Sequence, residues 1–328
     1  MKHQQRSIVV ALGGNAILQP GQVGTFEEQL VNVDSTAHRI AKLIARGDRV
    51  VLTHGNGPQV GNLLIQNEVA SKRVAPMPMD VCGAESQGQI GYMLQQSIAN
   101  YLQSMKLDVP VVTLLTEMEV DADDPAFAAP SKPVGPFYTE ERAKELALEQ
   151  GFVMREDAGR GWRRVVPSPV PTGIVQREVI RRLVADGTLV ICSGGGGIPV
   201  VRNKRGAAAG VAAVIDKDLA AALLARDVSA DILVILTDVP HAYLNYGTDE
   251  QIALRSVELK EMAVYQKQGH FKAGSMGPKI DAAMRFVASG GEAVIANLLQ
   301  LEQAVAGEAG TRIFRVRGAS QSAQATAG

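Results

Sequence analysis

The chain has 328 residues, 46% hydrophobic and 20% charged, an ordinary composition for a globular α/β protein and enough for a full core. Its 33 Lys and Arg nearly balance 34 Asp and Glu, so the net charge of −1 excludes the broad basic surface of a nucleic-acid or acidic-membrane binder. Cys82 and Cys192 lie far apart without a CxxC or a Cys/His cluster, which argues against a disulfide framework or zinc site and favours a cytoplasmic location.

The first third of the chain alternates short β-branched runs with longer amphipathic patterns. The short runs predict strands at residues 7–12, 49–53 and 109–115. The longer patterns predict helices at residues 27–46, 58–71 and 85–105. Because no uncharged apolar run approaches the roughly 18 residues of a membrane span, we expect no membrane association.

An irregular segment at residues 121–171 interrupts this alternation. Prolines are frequent at both of its ends, and between them lie a short helical pattern at residues 139–150 and a polar hairpin around residues 159–161. Proline-rich stretches of this length inside a compact domain are typical of functional insertions. The segment is therefore predicted to be a lid or a small protruding subdomain.

The second half of the chain returns to the alternation. The predicted helices are at residues 176–185, 217–226 and 278–289, and the predicted strands are at residues 189–192, 231–236, 292–297 and 312–315. Residues 318–328 have no large apolar side chain and are predicted to be disordered. The alternation predicts an α/β fold, a three-layer αβα sandwich with a mainly parallel open sheet and ligands at the carboxyl ends of its strands.

Four glycine-rich segments stand out, at residues 13–15, 54–57, 194–197 and 274–279. Glycine lets the backbone approach a ligand and direct N–H groups at it, and a following helix adds its positive end. Any one segment could be only a tight turn, but four together indicate a site for several phosphates or oxyanions. The P-loop, the GxGxxG fingerprint and the protein-kinase motifs are absent, so a site for ATP requires another fold.

Charged residues inside apolar stretches are the next candidates. Asp216, Lys217 and Asp218 are consecutive, and on a helix such residues cannot share one solvated face. A helix start with Asp216 as N-cap explains the aspartates, but a lysine there opposes the helix dipole unless it binds an anion. Lys279 follows Pro278 at another predicted helix start and has the same anomaly. Both lysines are therefore predicted to be functional.

The sequence pattern alone does not assign a catalytic role to three other polar residues. Lys132, in the irregular segment, fits an exposed loop lysine better than a functional one. His54, at a strand end, is interpreted as a hydrogen-bonded supporting group rather than a catalytic base. Asp238 follows an apolar strand, where ligand contact and turn capping are equally compatible with the pattern.

Seven segments together resemble the amino-acid kinase superfamily and, within it, the carbamate kinases, with a similarity that covers residues 8–314. The segments are VVALGGNA (9–16), THGNGPQVGNLL (53–64), SKPVGPFY (131–138), VICSGGGGIPV (190–200), VIDKDLAAALLA (214–225), ILTDV (235–239) and GSMGPKIDAA (274–283). The first two occur across the superfamily, whereas SKPVGPFY, the four glycines with IPV, and IDKD are more specific to carbamate kinases. The chain departs from the pattern at Pro240, His241 and Ala242, where a more polar turn is expected.

The resemblance implies a role for each matching residue. The implied catalytic residues are Lys132, Lys217, Lys279 and Asp218, the last holding the lysines in place. The implied binding residues for the acceptor and the transferring phosphoryl group are Gly13, Gly14, Asn15, Gly55, Asn56, Gly194 and Gly195. The implied nucleotide contacts are Thr237, Asp238, Tyr243, Met276 and Pro278, and no side chain is assigned as a metal ligand. Residues 1–228, with the insertion, would form the acceptor lobe and residues 229–317 the nucleotide lobe.

The implied activity is reversible phosphoryl transfer between ATP and carbamate, running toward ATP synthesis in catabolism. The implied cofactors are ATP or ADP with Mg²⁺, the implied partners are carbamate and carbamoyl phosphate rather than nucleic acid or membrane, and the implied assembly is a homodimer. Carbamate is already an anion, so the reaction needs no general base. The alternatives are a superfamily enzyme acting on an amino-acid carboxylate or UMP, and a non-catalytic nucleotide-binding regulator.

Overall fold

The computed structural model describes residues 5–157, 159–272 and 275–316. The predicted disordered tail at residues 318–328 and Gly274 of the fourth glycine segment lie outside the described residues. Within the described part of the chain, the α-helices are α1 (Phe26–Ala45), α2 (Gly57–Ala70), α3 (Met79–Ser104), α4 (Glu140–Gln150), α5 (Arg177–Ala185), α6 (Lys217–Asp227), α7 (Leu259–Lys267), α8 (Met276–Ala288) and α9 (Leu301–Ala306).

The β-strands are mostly short, with three to seven residues each. In the first part of the chain they are β1 (Ser7–Leu12), β2 (Arg49–His54), β3 (Val111–Thr113), β4 (Glu117–Val120), β5 (Lys132–Tyr138), β6 (Met154–Glu156), β7 (Trp162–Val166), β8 (Pro171–Ile174) and β9 (Leu189–Ile191). Further along they are β10 (Ile198–Arg202), β11 (Ala208–Gly210), β12 (Ile232–Thr237), β13 (Ala242–Leu244), β14 (Ile252–Leu254), β15 (Ser256–Glu258), β16 (Glu292–Asn297) and β17 (Thr311–Phe314).

The main sheet of the described residues has eight strands in the order β15-β17-β16-β12-β1-β2-β9-β3. Neighbouring strands are parallel throughout, except that β16 and β17 are antiparallel. The central strand β1 pairs in register with both neighbours, and Ile8 lies opposite Ile232 on one side and Val50 on the other. The prediction of a mainly parallel open sheet is confirmed.

The two faces of the main sheet bury separate apolar cores. Val9 and Ala11 of β1 pack in the core formed with α5, α6 and α8. Ile8, Val10 and Leu12 pack in the core formed with α1, α3 and α9. A strand covered on both faces needs apolar side chains at every position, which is why β1 reads as a continuous apolar run. The predicted three-layer αβα sandwich is therefore confirmed.

Smaller sheets flank the main sheet. One has the order β11-β10-β4-β8, one pairs β13 with β14, and one has the order β5-β7-β6. We call the last of these, with α4, the inserted sheet (residues 132–166); it lies within the segment predicted to be an insertion. It packs on α2 and α3 through a small apolar cluster of Met79, Val134 and Val166, joined by Leu64 and Val214.

Several elements differ from the sequence predictions. The strands of the β11-β10-β4-β8 sheet were not predicted, because runs of three to five residues are too short to give a clear periodic signal. Helix α3 begins at Met79 rather than at residue 85, because buried Met79 and Cys82 extend its apolar stripe through Gly83. None of the helices in the described ranges combines the length and apolar character that crossing a bilayer requires.

Candidate active site

The candidate site lies where strands of the main sheet reach their carboxyl ends. Gly13 follows β1, Gly55 follows β2, Gly194 lies shortly after β9, and Thr237 ends β12. The carboxyl ends of parallel strands lie at one edge of a sheet, so loops that are far apart in sequence meet there. Three of the four glycine-rich segments therefore converge on this edge.

Two adjoining cavities open at this edge. The inner cavity, of about 230 Å³, is lined by Gly13, Gly14, Asn15, Ala16, Lys217, Leu236, Thr237, Asp238, Lys279 and Leu298. The outer cavity, of about 520 Å³, is lined by Thr237, Asp238, Val239, Tyr243, Tyr246, His270, Phe271, Lys272, Ser275, Met276 and Lys279. Thr237, Asp238 and Lys279 line both cavities, so the two are neighbouring parts of one cleft. The outer cavity has the size of a nucleotide-sized ligand site, and the inner one suits small anionic groups.

Two lysines converge on one buried carboxylate beside the inner cavity. The Nζ of Lys217 lies 2.5 Å from Oδ1 of Asp218, and the Nζ of Lys279 lies 3.2 Å from Oδ2 of the same residue. Asp218 is only 2% exposed. Burial raises the pKa of the Asp218 carboxyl, but the ammonium groups of Lys217 and Lys279 outweigh that effect, so the pKa is lowered. The carboxylate is therefore ionised at neutral pH and holds both lysines.

A second carboxylate engages the third lysine. The Oδ2 of Asp216 accepts a hydrogen bond of 3.1 Å from the Nζ of Lys132, the first residue of β5. The Oδ1 of Asp216 accepts from the backbone N–H of Asp218 at 2.9 Å, so Asp216 is also the N-cap of α6. The sequence predicted the cap but not this ion pair.

The glycine loop after β9 has a backbone that larger residues cannot adopt without strain. Gly195, Gly196 and Gly197 all have positive φ, of 64°, 95° and 88°. A Cβ on Gly195 would lie 2.2 Å from Nδ2 of Asn56, and a Cβ on Gly194 would lie 2.4 Å from Nε2 of His54. The absence of these side chains lets the loop pack directly on the end of β2 and on the segment that follows it.

Residues of α3 that the sequence did not single out hold these two loops. Ser86 Oγ accepts a hydrogen bond of 2.8 Å from Nδ2 of Asn56. Gln87 donates through Nε2 to the carbonyl oxygens of Thr116 and Gly194, and its Oε1 accepts from the N–H of Thr116. Ser86 and Gln87 are buried among the apolar residues of α3. Polar residues within the buried stripe of a helix are the sequence signal that could have found them.

His54 is buried beneath the same loops. Its Nδ1 lies 2.9 Å from the carbonyl oxygen of Gly55, and because a carbonyl can only accept, this nitrogen carries the ring proton. Burial, with a further contribution from the charge of Lys217, lowers the pKa of His54 to about 4. The imidazole is therefore neutral at pH 7, in keeping with the supporting role expected for it.

The structure brings most of the predicted site residues into one region. Gly13, Gly14, Asn15, Lys217 and Lys279 line the inner cavity, with Thr237 and Asp238 at its junction with the outer one, and Tyr243 and Met276 line the outer cavity. Gly55 packs against the side chain of Lys217, and Asn56 packs against Gly195. Lys132 reaches the α6 N-terminus through Asp216. Pro278 lies in the first turn of α8, and among the described residues it is not one that lines either cavity.

Comparison with known proteins gives consistent matches. The model of the amino acid kinase family matches residues 6–297. A carbamate kinase of Pyrococcus horikoshii is 55% identical over 93% of this chain and 98% of its own length. A carbamate kinase of Trichomonas vaginalis is 48% identical over 93% of this chain and 98% of its own length. The solved structure of a carbamate kinase from Giardia lamblia bound to AMP-PNP is 47% identical, with a TM-score of 0.90, and covers 95% of this chain and 99% of that one.

Proposed function

The chain belongs to the amino acid kinase family, and we propose that it is a carbamate kinase, which transfers a phosphoryl group reversibly between ATP and carbamate. The observation that carries the phosphoryl-transfer part is the pair of lysines on buried Asp218, beside a cavity lined by Gly13 and Gly14. The acceptor follows from relatives that carry this name and match nearly the whole chain. The direction toward ATP synthesis follows from the high transfer potential of carbamoyl phosphate.

The proposed reaction requires two mutually repelling anions to be held in line. The carbamate oxygen attacks the γ-phosphorus of ATP, and the bond from that phosphorus to the bridging oxygen of ADP breaks. Lys217 and Lys279 place positive charge at the inner cavity. Gly13 and Gly14 line the same cavity, and we assign their backbone N–H groups as further donors to the phosphoryl oxygens. Carbamate has no proton to lose at the attacking oxygen, so a neutral, buried His54 is compatible with the proposal.

We place the nucleotide in the outer cavity and the acceptor in the inner one. Tyr243 and Met276 provide the larger apolar surface that a base and ribose need, and Thr237 and Asp238 lie where the phosphates would cross between the cavities. This assignment corresponds to an acceptor lobe of residues 1–228, including the insertion, and a nucleotide lobe of residues 229–317. We also propose that the protein is a homodimer in the cytoplasm, where free Cys82 and Cys192 would stay reduced.

Magnesium fits this site as a companion of the nucleotide. Among the described residues, no group of three or more His, Cys, Asp or Glu side chains could hold a metal ion. Mg²⁺ bound to phosphates needs only one or two protein carboxylates and keeps several waters. Asp238 lines both cavities and is the residue we propose for that contact. When bound, the ion would neutralise charge on the phosphate oxygens.

The test is a coupled assay of ATP formation from carbamoyl phosphate and ADP, with ADP formation from ATP measured in parallel for carbamate, glutamate, aspartate and UMP. We expect turnover with carbamate and carbamoyl phosphate only. Lys217→Ala should lower kcat by about 10² to 10³, because it removes one group that stabilises the developing charge. Lys144→Ala, on the exposed side of α4, is the control and should retain wild-type turnover. Preference for another acceptor would overturn the proposed function, and full activity in Lys217→Ala would remove that residue from the mechanism.

A further inference from the structure

We infer that Asp216 is a positioning residue that holds Lys132 in the place where it acts during phosphoryl transfer. The inference rests on the proposed function, in which Lys132 serves the acceptor side of the site. It assigns a role in the reaction to a residue that otherwise would be only a helix cap.

The two carboxylate oxygens of Asp216 have different tasks. Oδ1 accepts from the backbone N–H of Asp218 and fixes the first turn of α6. Oδ2 accepts from the ammonium group of Lys132, which lies 84 positions away in the sequence. One side chain thus connects the helix that carries Lys217 and Asp218 to the strand that carries the third lysine.

The ion pair lies at the base of the inserted sheet. Lys132 is the first residue of β5 and pairs with Val166, the last residue of β7. Close by, the N–H of Val214 donates to the carbonyl oxygen of Pro167 at 3.0 Å. The segment that leads into α6 is therefore bound to the base of the inserted sheet by one backbone hydrogen bond and one ion pair. The ion pair is the contact that determines the position of the Lys132 ammonium group.

The exposure of this pair indicates that it serves positioning rather than stability. The side chains of Lys132 and Asp216 are 40% and 16% exposed, and ion pairs that water can reach contribute little to folding. A lysine side chain is long and flexible, so without a partner its ammonium group samples many positions. Holding that group in one place lowers the entropy that is lost when the reactants are aligned.

A second ion pair of the same kind, between an aspartate and a lysine from another element, lies in the first turn of α6. Asp216 and Asp218 flank Lys217, and each binds a lysine from a different element: Asp216 binds Lys132 of β5, and Asp218 binds Lys279 of α8. Three ammonium groups and two carboxylates leave a local excess of one positive charge, which suits anionic reactants. The first turn of α6 therefore aligns all three lysines.

The decisive variant is Asp216→Asn, because asparagine caps a helix as well as aspartate does but carries no charge to hold a lysine. We expect kcat to fall about tenfold, in the range of couplings between contacting residues. The KM for ADP should not change, since neither Asp216 nor Lys132 lines the outer cavity among the described residues. In a Lys132→Met background, Asp216→Asn should cause no further loss.

The control is Glu140→Gln, which removes the 2.8 Å ion pair with Lys144 on α4 and should leave turnover unchanged. An equal tenfold loss with and without Lys132 would show that Asp216 acts only through the cap, and that result would overturn the inference. Wild-type turnover in Asp216→Asn would overturn it as well.

A second measurement does not depend on turnover. NMR relaxation of the lysine side chains, with the Lys132 signal assigned from its absence in Lys132→Met, reports how freely this side chain moves. The Lys132 side chain should be more mobile in Asp216→Asn than in the wild type and unchanged in Glu140→Gln. Equal mobility in Asp216→Asn and the wild type would contradict the pairing. If the wild-type protein fails to use carbamate, the proposed function is wrong, and the relaxation measurement still decides whether Asp216 holds Lys132.

Discussion

At the scale of single residues, the site depends on ionisable groups in unusual surroundings. The Asp218 carboxylate is buried and bound to two lysines, and its pKa lies below the usual value of 3.8. A lowered pKa means that the ionised form favours folding above that usual value and that this contribution is lost as the pH falls through the folded pKa. Asp218 therefore keeps both lysines in place throughout the neutral range.

His54 gives a prediction of the same kind with a different pH window. Its pKa is about 4 in the folded protein, whereas an unperturbed histidine, as in the unfolded chain, has a pKa of 6.5. Between these two pH values the unfolded chain therefore binds more protons than the folded protein does. Stability should therefore fall as the pH falls from 6.5 to 4, by about 2 kcal/mol at pH 5 relative to pH 7.5. Urea denaturation at both pH values measures this difference.

His54→Asn removes the titrating group and keeps an N–H that can reach the carbonyl of Gly55. The difference in unfolding free energy between pH 7.5 and pH 5 should be smaller in this variant by about 2 kcal/mol. The pH 7.5 measurement separately gives the packing cost of the substitution. An equal pH dependence in the variant and the wild type would contradict the neutral, buried state of His54.

At the scale of elements, loops from separate strands reach the site because the glycine loop has no side chains of its own and packs directly against side chains at the end of β2. The loop of residues 194–197 packs on His54 and Asn56, and α3 fastens both through Ser86 and Gln87. Because Asn56 is held on one side by Ser86 and on the other by the glycine loop, its position depends on both. A change in the loop is therefore expected to affect activity more than stability.

Gly195→Ala tests this dependence. The new Cβ would lie 2.2 Å from Nδ2 of Asn56, so the amide must shift by roughly 1 Å, and displacements of that size can lower rates by about 10². Kinetics of ATP formation from carbamoyl phosphate measure the effect.

Gly206→Ala is the matched control for backbone strain. Gly206 also has a positive φ, of 83°, but a Cβ there would meet no atom within 4 Å. Its variant should lose about 1 kcal/mol of stability, the cost of left-handed backbone, with unchanged kcat. Similar kinetics in the two alanine variants would mean that the contact with Asn56 does not matter for the reaction.

At the scale of the whole molecule, the main sheet separates the two proposed substrate regions along its edge. The inner cavity lies at the ends of β1 and β12, and the outer cavity lies toward β13 and the start of α8. Lys279 lines both, whereas Lys132 belongs to the inserted sheet. Variants of these two lysines should therefore differ in their effect on nucleotide binding.

ADP binding to the folded protein should stabilise it by about 2.7 kcal/mol at 100 times its Kd. Lys132→Ala should keep this increase, measured as the ADP-dependent change in the free energy of unfolding, because Lys132 does not line the outer cavity among the described residues. Lys279→Ala should reduce it at the same ADP concentration. Equal reductions in both variants would contradict the separate placement of nucleotide and acceptor.

The sequence by itself determined the features that depend on local pattern. Strands β1 and β16 have the predicted bounds, α1 begins and ends one residue before its predicted range, and α6 ends one residue beyond its predicted range. The agreement is close because apolar periodicity and caps are local signals. The glycine segments, and the lysines at helix starts where they oppose the helix dipole, are also local signals, and they predicted an anion site. The family resemblance added Lys132, which its own surroundings did not identify.

Only the tertiary structure decided which groups meet. Lys132 binds Asp216 across 84 positions and Lys279 binds Asp218 across 61, and no periodic pattern records either pairing. The hydrogen bonds of Ser86 and Gln87 to Asn56 and Gly194 form only when α3 is placed against the loops after β2 and β9. The short strands of the smaller sheets likewise become strands only when partners supply their hydrogen bonds. These features depend on contacts between distant segments, and such contacts exist only once the sheet has brought those segments to one edge.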